Sequence, residues 1–153
     1  MIDIKEISQI SDISQLVILF GSNFDSENVW SITKSHLKNM GECYFSDITI
    51  SPDYTKKTNL IYYNACILIQ LNCLQHHQQL NSELKKIEIQ CGRNKLQNNQ
   101  LQTNQVTISQ VKADLDILAV YTKNWHISQR RLPFKEHEKI GLLQIAPFLL
   151  NDI

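Results

Sequence analysis

Fifteen lysines and arginines are offset by fifteen aspartates and glutamates, so the chain has no net charge with which to draw nucleic acid or an anionic membrane. A polyanionic ligand must be held locally. No apolar run approaches the roughly 20 residues of a membrane-spanning helix, and the polar, acidic stretch from Met1 to Ser14 lacks the form of a secretion signal. The four cysteines, Cys43, Cys66, Cys73 and Cys91, show no Cys-x-x-Cys spacing and are too sparse for a disulfide scaffold; they are expected to be reduced, mostly buried thiols. A Gly-x-x-x-x-Gly-Lys phosphate loop, a zinc constellation and a cysteine paired with a histidine nucleophile-fashion are all missing. The 153 residues, 42% apolar and 20% charged, fit one domain with one core, and the protein is expected to be cytoplasmic and to bind neither nucleic acid nor membrane.

Against that plain background, Ala113-Asp114-Leu115-Asp116-Ile117-Leu118 stands out. A strand places residues two apart on one face, so Asp114 and Asp116 point together while Leu115 and Ile117 turn into a core. Paired carboxylates suit a hard cation, and Mg²⁺ is usually held by one or two carboxylates plus substrate phosphates. The same spacing also suits the wet face of a half-buried strand.

The surrounding pattern supplies a framework. Residues 1–15 read as an N-terminal arm, either a short amphipathic helix or an irregular packed segment, with isoleucines mostly three apart. Leu16 to Phe20 is a continuous apolar run stopped by Gly21-Ser22-Asn23, a buried strand entering a turn. Ser26 is placed to cap a helix striped by Val29, Ile32, His36 or Leu37, and Met40, with Gly41 just beyond its end. A second strand is expected over 43–50, a loop over 51–60 and a third strand over 62–71. Leu80, Leu84, Ile87 and Cys91 mark a second helix closed by Gly92, with His76 and His77 as polar residues at its start. From 93 to 113 the chain turns to Gln, Asn, Thr and Ser, which reads as a long mobile loop placed as a lid. A strand over 114–121, a basic and aromatic stretch around Trp125 and Arg130-Arg131, and a short helix holding 141–145 complete the chain. Strand, helix, strand, strand, helix, strand is the split βαβ order, so residues 16–153 are expected to form one α+β, ferredoxin-like sandwich: an antiparallel sheet with helices on one face, plus a C-terminal extension.

Four strings in this order, Leu19-Phe20-Gly21-Ser22-Asn23, Tyr62-Tyr63-Asn64-Ala65, Ile87-Glu88 with Gly92-Arg93, and Asp114-Leu115-Asp116-Ile117-Leu118, resemble the 6-hydroxymethyl-7,8-dihydropterin pyrophosphokinases of folate synthesis. The resemblance runs from about Leu16 to Pro147. It implies transfer of a diphosphoryl group from ATP to the hydroxymethyl oxygen of a reduced pterin, releasing AMP. Asp114 and Asp116 match the ligands of two Mg²⁺ ions that bridge the triphosphate. Asn64 matches the residue that hydrogen-bonds the pterin edge and Tyr62 an aromatic that stacks on its ring. Gly21, Ser22, Asn23, Ser51 and Pro52 match loop positions of the pterin pocket. Arg93 and Lys95 match phosphate contacts, Glu88 a residue near the nucleotide, and Lys112 stands beside the expected arginine position, which here is Val111. Further on, Phe134 replaces an expected histidine, Ile140 an arginine and Leu142 the second stacking aromatic, while His137 and Lys139 lie nearby. On these residues the chain reads as an ATP- and Mg²⁺-dependent diphosphotransferase. The alternative is a relative that binds nucleotide, pterin or a protein partner without turnover.

Overall fold

Leu16-Val17-Ile18-Leu19-Phe20 lacks the alternation of a strand with one wet face, and a run of this kind is expected where a sheet is covered on both sides. It forms the middle of β2 (Ile13–Ser22), the central strand of a mixed α+β fold. The computed structural model describes residues 2–52, 61–92, 100–103, 106–109 and 113–150. Its other elements are β1 (Ile2–Lys5), α1 (Ser26–Leu37), β3 (Gly41–Phe45), β4 (Thr49–Pro52), β5 (Ile61–Gln75), α2 (His77–Gln90), β6 (Gln100–Thr103), β7 (Val106–Ser109), β8 (Asp114–Tyr121), β9 (Trp125–Ser128) and α3 (Glu136–Ile145). Single 3₁₀ turns follow at Gln129–Arg131 and Pro147–Leu150.

The seven-stranded sheet runs β1-β9-β8-β2-β5-β3, with β4 also paired to β5. Antiparallel pairing dominates, and β1 with β9 is parallel. β2 and β3 both run against β5, so they are parallel to each other with β5 between them and α1 connecting them. β5 and β8 both run against β2, so they are likewise parallel, joined by α2. The two βαβ units are thus each split by a strand of the other.

Side-chain parity divides the core in two. Leu16, Ile18, Phe20, Ala65, Ile67, Ile69, Leu115 and Ile117 pack against Val29 and Leu37 of α1 and Leu80, Leu84 and Ile87 of α2. Val17, Cys66, Leu68 and Leu118 face the opposite way and meet Leu142 of α3, Ala146 and Leu149. The expectation of helices on one face therefore holds for α1 and α2 but not for α3. Gly141 lets α3 approach β5 closely, since a Cβ there would lie 2.5 Å from Cys66 Sγ.

Several local expectations are corrected. The N-terminal segment is not a helix: β1 extends the main sheet, and Ile7 and Ile13 are buried in the core. The expected second strand is two strands, β3 and β4, both on β5. The polar 93–113 stretch holds an antiparallel pair, β6 with β7; the lid reading of its remainder lies outside the described residues. Asp25, in the left-handed region at φ 52°, takes the cap position of α1, while Ser26 is its first helical residue. Gly41 opens β3, where a Cβ would collide with the Gln70 carbonyl of β5. α2 matches its stripe, with Leu80, Leu84, Ile87 and Cys91 buried and Gly92 at φ 95° just past its end. His76 caps it, accepting from the Gln78 backbone N–H at 3.1 Å. Among the described residues no helix is long and apolar enough to cross a membrane.

Candidate functional site

β8 begins with its two aspartates and soon slips register by one residue. Val17 pairs with Ala119 and Ile18 with Ile117, leaving Leu118 as the extra residue. Such a bulge re-aims side chains. Val120 packs with the α1–α2 layer, yet Asp116 and Asp114, an even number of positions earlier, point to the other side of the sheet. Leu115 and Ile117 are buried beneath them, as the spacing predicts.

Two rows cross the sheet on the aspartates' side. Asn64 of β5, Gly21 of β2 and Asp114 of β8 are in register, and so are Cys66, Leu19 and Asp116. All six line a cleft of about 310 Å³, with Ser51 and Tyr62 at its β4 end. Neighbouring strands lie roughly 4.8 Å apart, so about 10 Å separates the backbones carrying Asn64 and Asp114. Gly21 leaves the middle of that row without a side chain.

The Asn64 amide is held firmly. Its Nδ2 donates toward Ser51 Oγ at 2.7 Å, Thr49 O at 3.1 Å and Tyr62 O at 3.3 Å. The protein thus engages both amide hydrogens, and Oδ1, an acceptor, lies on the Gly21 side.

The facing wall comes from the segment after β9. Arg131, Lys135, His137 and Glu138 line the cleft, and Arg131 Nη2 pairs with Asp116 Oδ2. Glu138 is buried, and its Oε1 accepts from the Lys135 backbone N–H at 2.8 Å, fixing the start of α3. Burial pushes the His137 imidazole below its ordinary value, with Glu138 opposing and Lys135 assisting. Burial, with the Glu138 carboxylate adding to it, likewise pushes the Cys66 thiol up to about 12, which disfavours the thiolate. Neither Arg131, seen in the sequence only as part of a basic stretch, nor Lys135 is marked there as a site residue. The cluster of Arg130-Arg131 and Lys135 around Pro133 was their visible signal, but no periodicity tied it to β8.

Other expected site residues lie elsewhere. Ser22 is fully buried and its hydroxyl serves the turn into α1, at 3.3 Å from Phe24 O and 3.0 Å from Ser26 Oγ. Pro52, at the end of β4 opposite Ile61, is exposed and does not line the cleft. Glu88 is buried on α2 beyond the cleft lining, where its Oε2 accepts the Leu115 backbone N–H at 2.8 Å. It therefore supports the aspartate strand from beneath. Leu142 and Phe134 are core residues of the α3 layer, so Leu142 does not supply a ring-packing surface in the cleft, and Ile140 is exposed. Arg93, Lys95, Val111 and Lys112 lie outside the described residues.

Among the described residues no group of three or more His, Cys, Asp or Glu gathers at one point. Asp114 and Asp116 alone fit a cation that completes its shell from phosphate oxygens and water, the habit of Mg²⁺. Donors of this type do not favour zinc or copper. No protein-family model matches the chain, and no curated protein matches it.

Proposed function

We propose that the chain is a Mg²⁺-dependent pyrophosphokinase, transferring the diphosphoryl group of ATP to the hydroxymethyl oxygen of a reduced pterin and releasing AMP. The observation that carries this reading is the convergence of Asp114, Asp116, Asn64, Tyr62, Ser51 and Gly21, from four separate strands, on one cleft. The interleaved split βαβ units also support a ferredoxin-like scaffold of the kind the resemblance implies.

In this reading Asn64 Oδ1 accepts from an N–H of the pterin edge and Tyr62 offers its ring face. Gly21 leaves room for the heterocycle between them and the aspartates. Asp114 and Asp116 would hold the cations, which when bound would neutralise triphosphate charge and stabilise the reacting oxygens. Arg131 and Lys135, on the wall that faces the aspartates, bring positive charge that Phe134 and Ile140, standing where the resemblance implies a histidine and an arginine, do not supply. ATP and pterin would be brought into line by the two walls, and such positioning is most of the catalysis available to phosphoryl transfer. Purified protein given ATP, Mg²⁺ and 6-hydroxymethyl-7,8-dihydropterin should release AMP in step with pterin diphosphate. Absence of AMP above the rate without protein contradicts the proposal.

The Asp116–Arg131 ion pair favours a second reading, a relative that binds nucleotide or pterin without turnover, because a protein cation already occupies one metal carboxylate. Saturable binding of both ligands with no AMP selects it.

A further inference from the structure

Asp114 and Asp116 stand two residues apart on one face of β8, with carboxylates turned into the same cleft. Two such groups repel, and Asp116 is paired with Arg131, their side chains 36% and 27% exposed. The guanidinium holds Oδ2, one of the two oxygens through which Asp116 can bind a metal. A divalent cation and Arg131 therefore compete for the same carboxylate. Arg131 closes a single 3₁₀ turn outside the sheet, at Gln129–Arg131, so its side chain can leave Asp116 without breaking a strand pair. A planar guanidinium matches two phosphate oxygens as well as it matches a carboxylate.

We infer that Arg131 is the resident counter-ion of the cleft: it holds Asp116 until a metal–nucleotide complex arrives, yields the carboxylate to the metal, and turns to the phosphates the metal brings. This rests on the reading of the cleft as a metal–nucleotide site, and it makes Arg131 a nucleotide-binding residue in this chain. The exchange has a signature that simple charge loss lacks. Removing Arg131 strengthens binding of the bare metal and weakens binding of the metal–nucleotide complex.

The test is titration of the purified protein with Mn²⁺ alone, and then with Mn²⁺ plus a non-hydrolysable ATP analogue, comparing wild type with Arg131→Ala and Arg131→Gln. The variants should bind Mn²⁺ roughly 1.5- to 5-fold more tightly, as expected for release of a partly exposed ion pair. They should bind the Mn²⁺–analogue complex about tenfold more weakly or worse. In an Asp116→Asn background, Arg131→Ala should no longer tighten Mn²⁺ binding. Unchanged or weaker Mn²⁺ binding in the Arg131 variants overturns the inference, as does unchanged binding of the complex, or no Mn²⁺ binding by any of the proteins. AMP formation by wild type is scored separately. AMP without the opposed shifts removes the role of Arg131 alone, whereas opposed shifts without AMP uphold the exchange and remove the pyrophosphokinase reading.

Discussion

Asn64 and Asp114 are register partners of the same residue, Gly21, and so face one another across a row whose centre has no side chain. A Cβ at Gly21 would meet only Asn64 Oδ1, at an ordinary 3.9 Å. Gly21→Val is therefore expected to fold, with a melting temperature within about 2 °C of wild type. The added methyls stand in the cleft, so pterin affinity should fall at least about tenfold, as expected for an overfilled site. Titration beside thermal unfolding checks this; a Gly21→Val variant that binds pterin normally would remove the row as the ligand seat.

Glu88 separates support from contact. Its buried carboxylate accepts the Leu115 N–H at 2.8 Å, and Lys85 lies 3.5 Å from its other oxygen. Glu88→Ala orphans a buried backbone donor on the aspartate strand, which costs about 1–3 kcal/mol. Urea unfolding should show that loss without any ligand present. If stability is unchanged and only nucleotide affinity drops, Glu88 is a direct ligand contact instead.

The parts legible in the sequence are those where one local period dominates. β8 runs over the span its Asp-Leu-Asp-Ile alternation marks, and α2 follows its four-three-four stripe to Gly92. β1 was hidden because Ile2 and Ile4 alternate as a strand while Ile7, Ile10 and Ile13 continue at helical spacing, and its partner β9 lies more than a hundred residues away. The bulge at Leu118 and the ion pair from Asp116 to Arg131 are likewise non-local: neither has a pattern within any short window. Asn64, Gly21 and Asp114 could be named separately, but their register, which makes them one site, comes only from strand pairing.

His126 gives the fold a direction of pH dependence. Burial, then Lys5, hold its imidazole below the ordinary value against the pull of Asp3, and its Nε2 lies 3.0 Å from Thr122 Oγ1. His77 is lowered too, first by burial, with His76 and Arg130 assisting and Glu6 opposing. A histidine whose folded pKa is depressed takes up its proton more readily unfolded. Stability is thus fully present above the unfolded value of about 6.5 and is lost as pH falls below it. Urea midpoints should drop between pH 7.5 and 5.5, and His126→Gln should flatten that drop; midpoints independent of pH, or rising toward pH 5.5, contradict the lowering of these two imidazoles.

The thiols give a count. All four cysteines are free, and Cys73 is exposed while Cys66 and Cys91 are buried. Burial pushes Cys43 up to about 11, ahead of the opposing pull of Lys38, and Cys66 to about 12. At pH 8 a disulfide reagent should label one thiol rapidly and the other three only on unfolding. Rapid native labelling of Cys66 would mean that the α3 layer does not seal that side of β5.

The most direct test of the whole account is AMP release from ATP, Mg²⁺ and 6-hydroxymethyl-7,8-dihydropterin by wild type and by Asp116→Ala at equal protein concentration. Wild type should release AMP, and the variant should keep its melting temperature within a few degrees while losing roughly 10³-fold or more in rate, as expected when metal-borne charge stabilisation is removed. A folded Asp116→Ala protein that forms AMP at the wild-type rate would show that the paired aspartates are not where the phosphates are held.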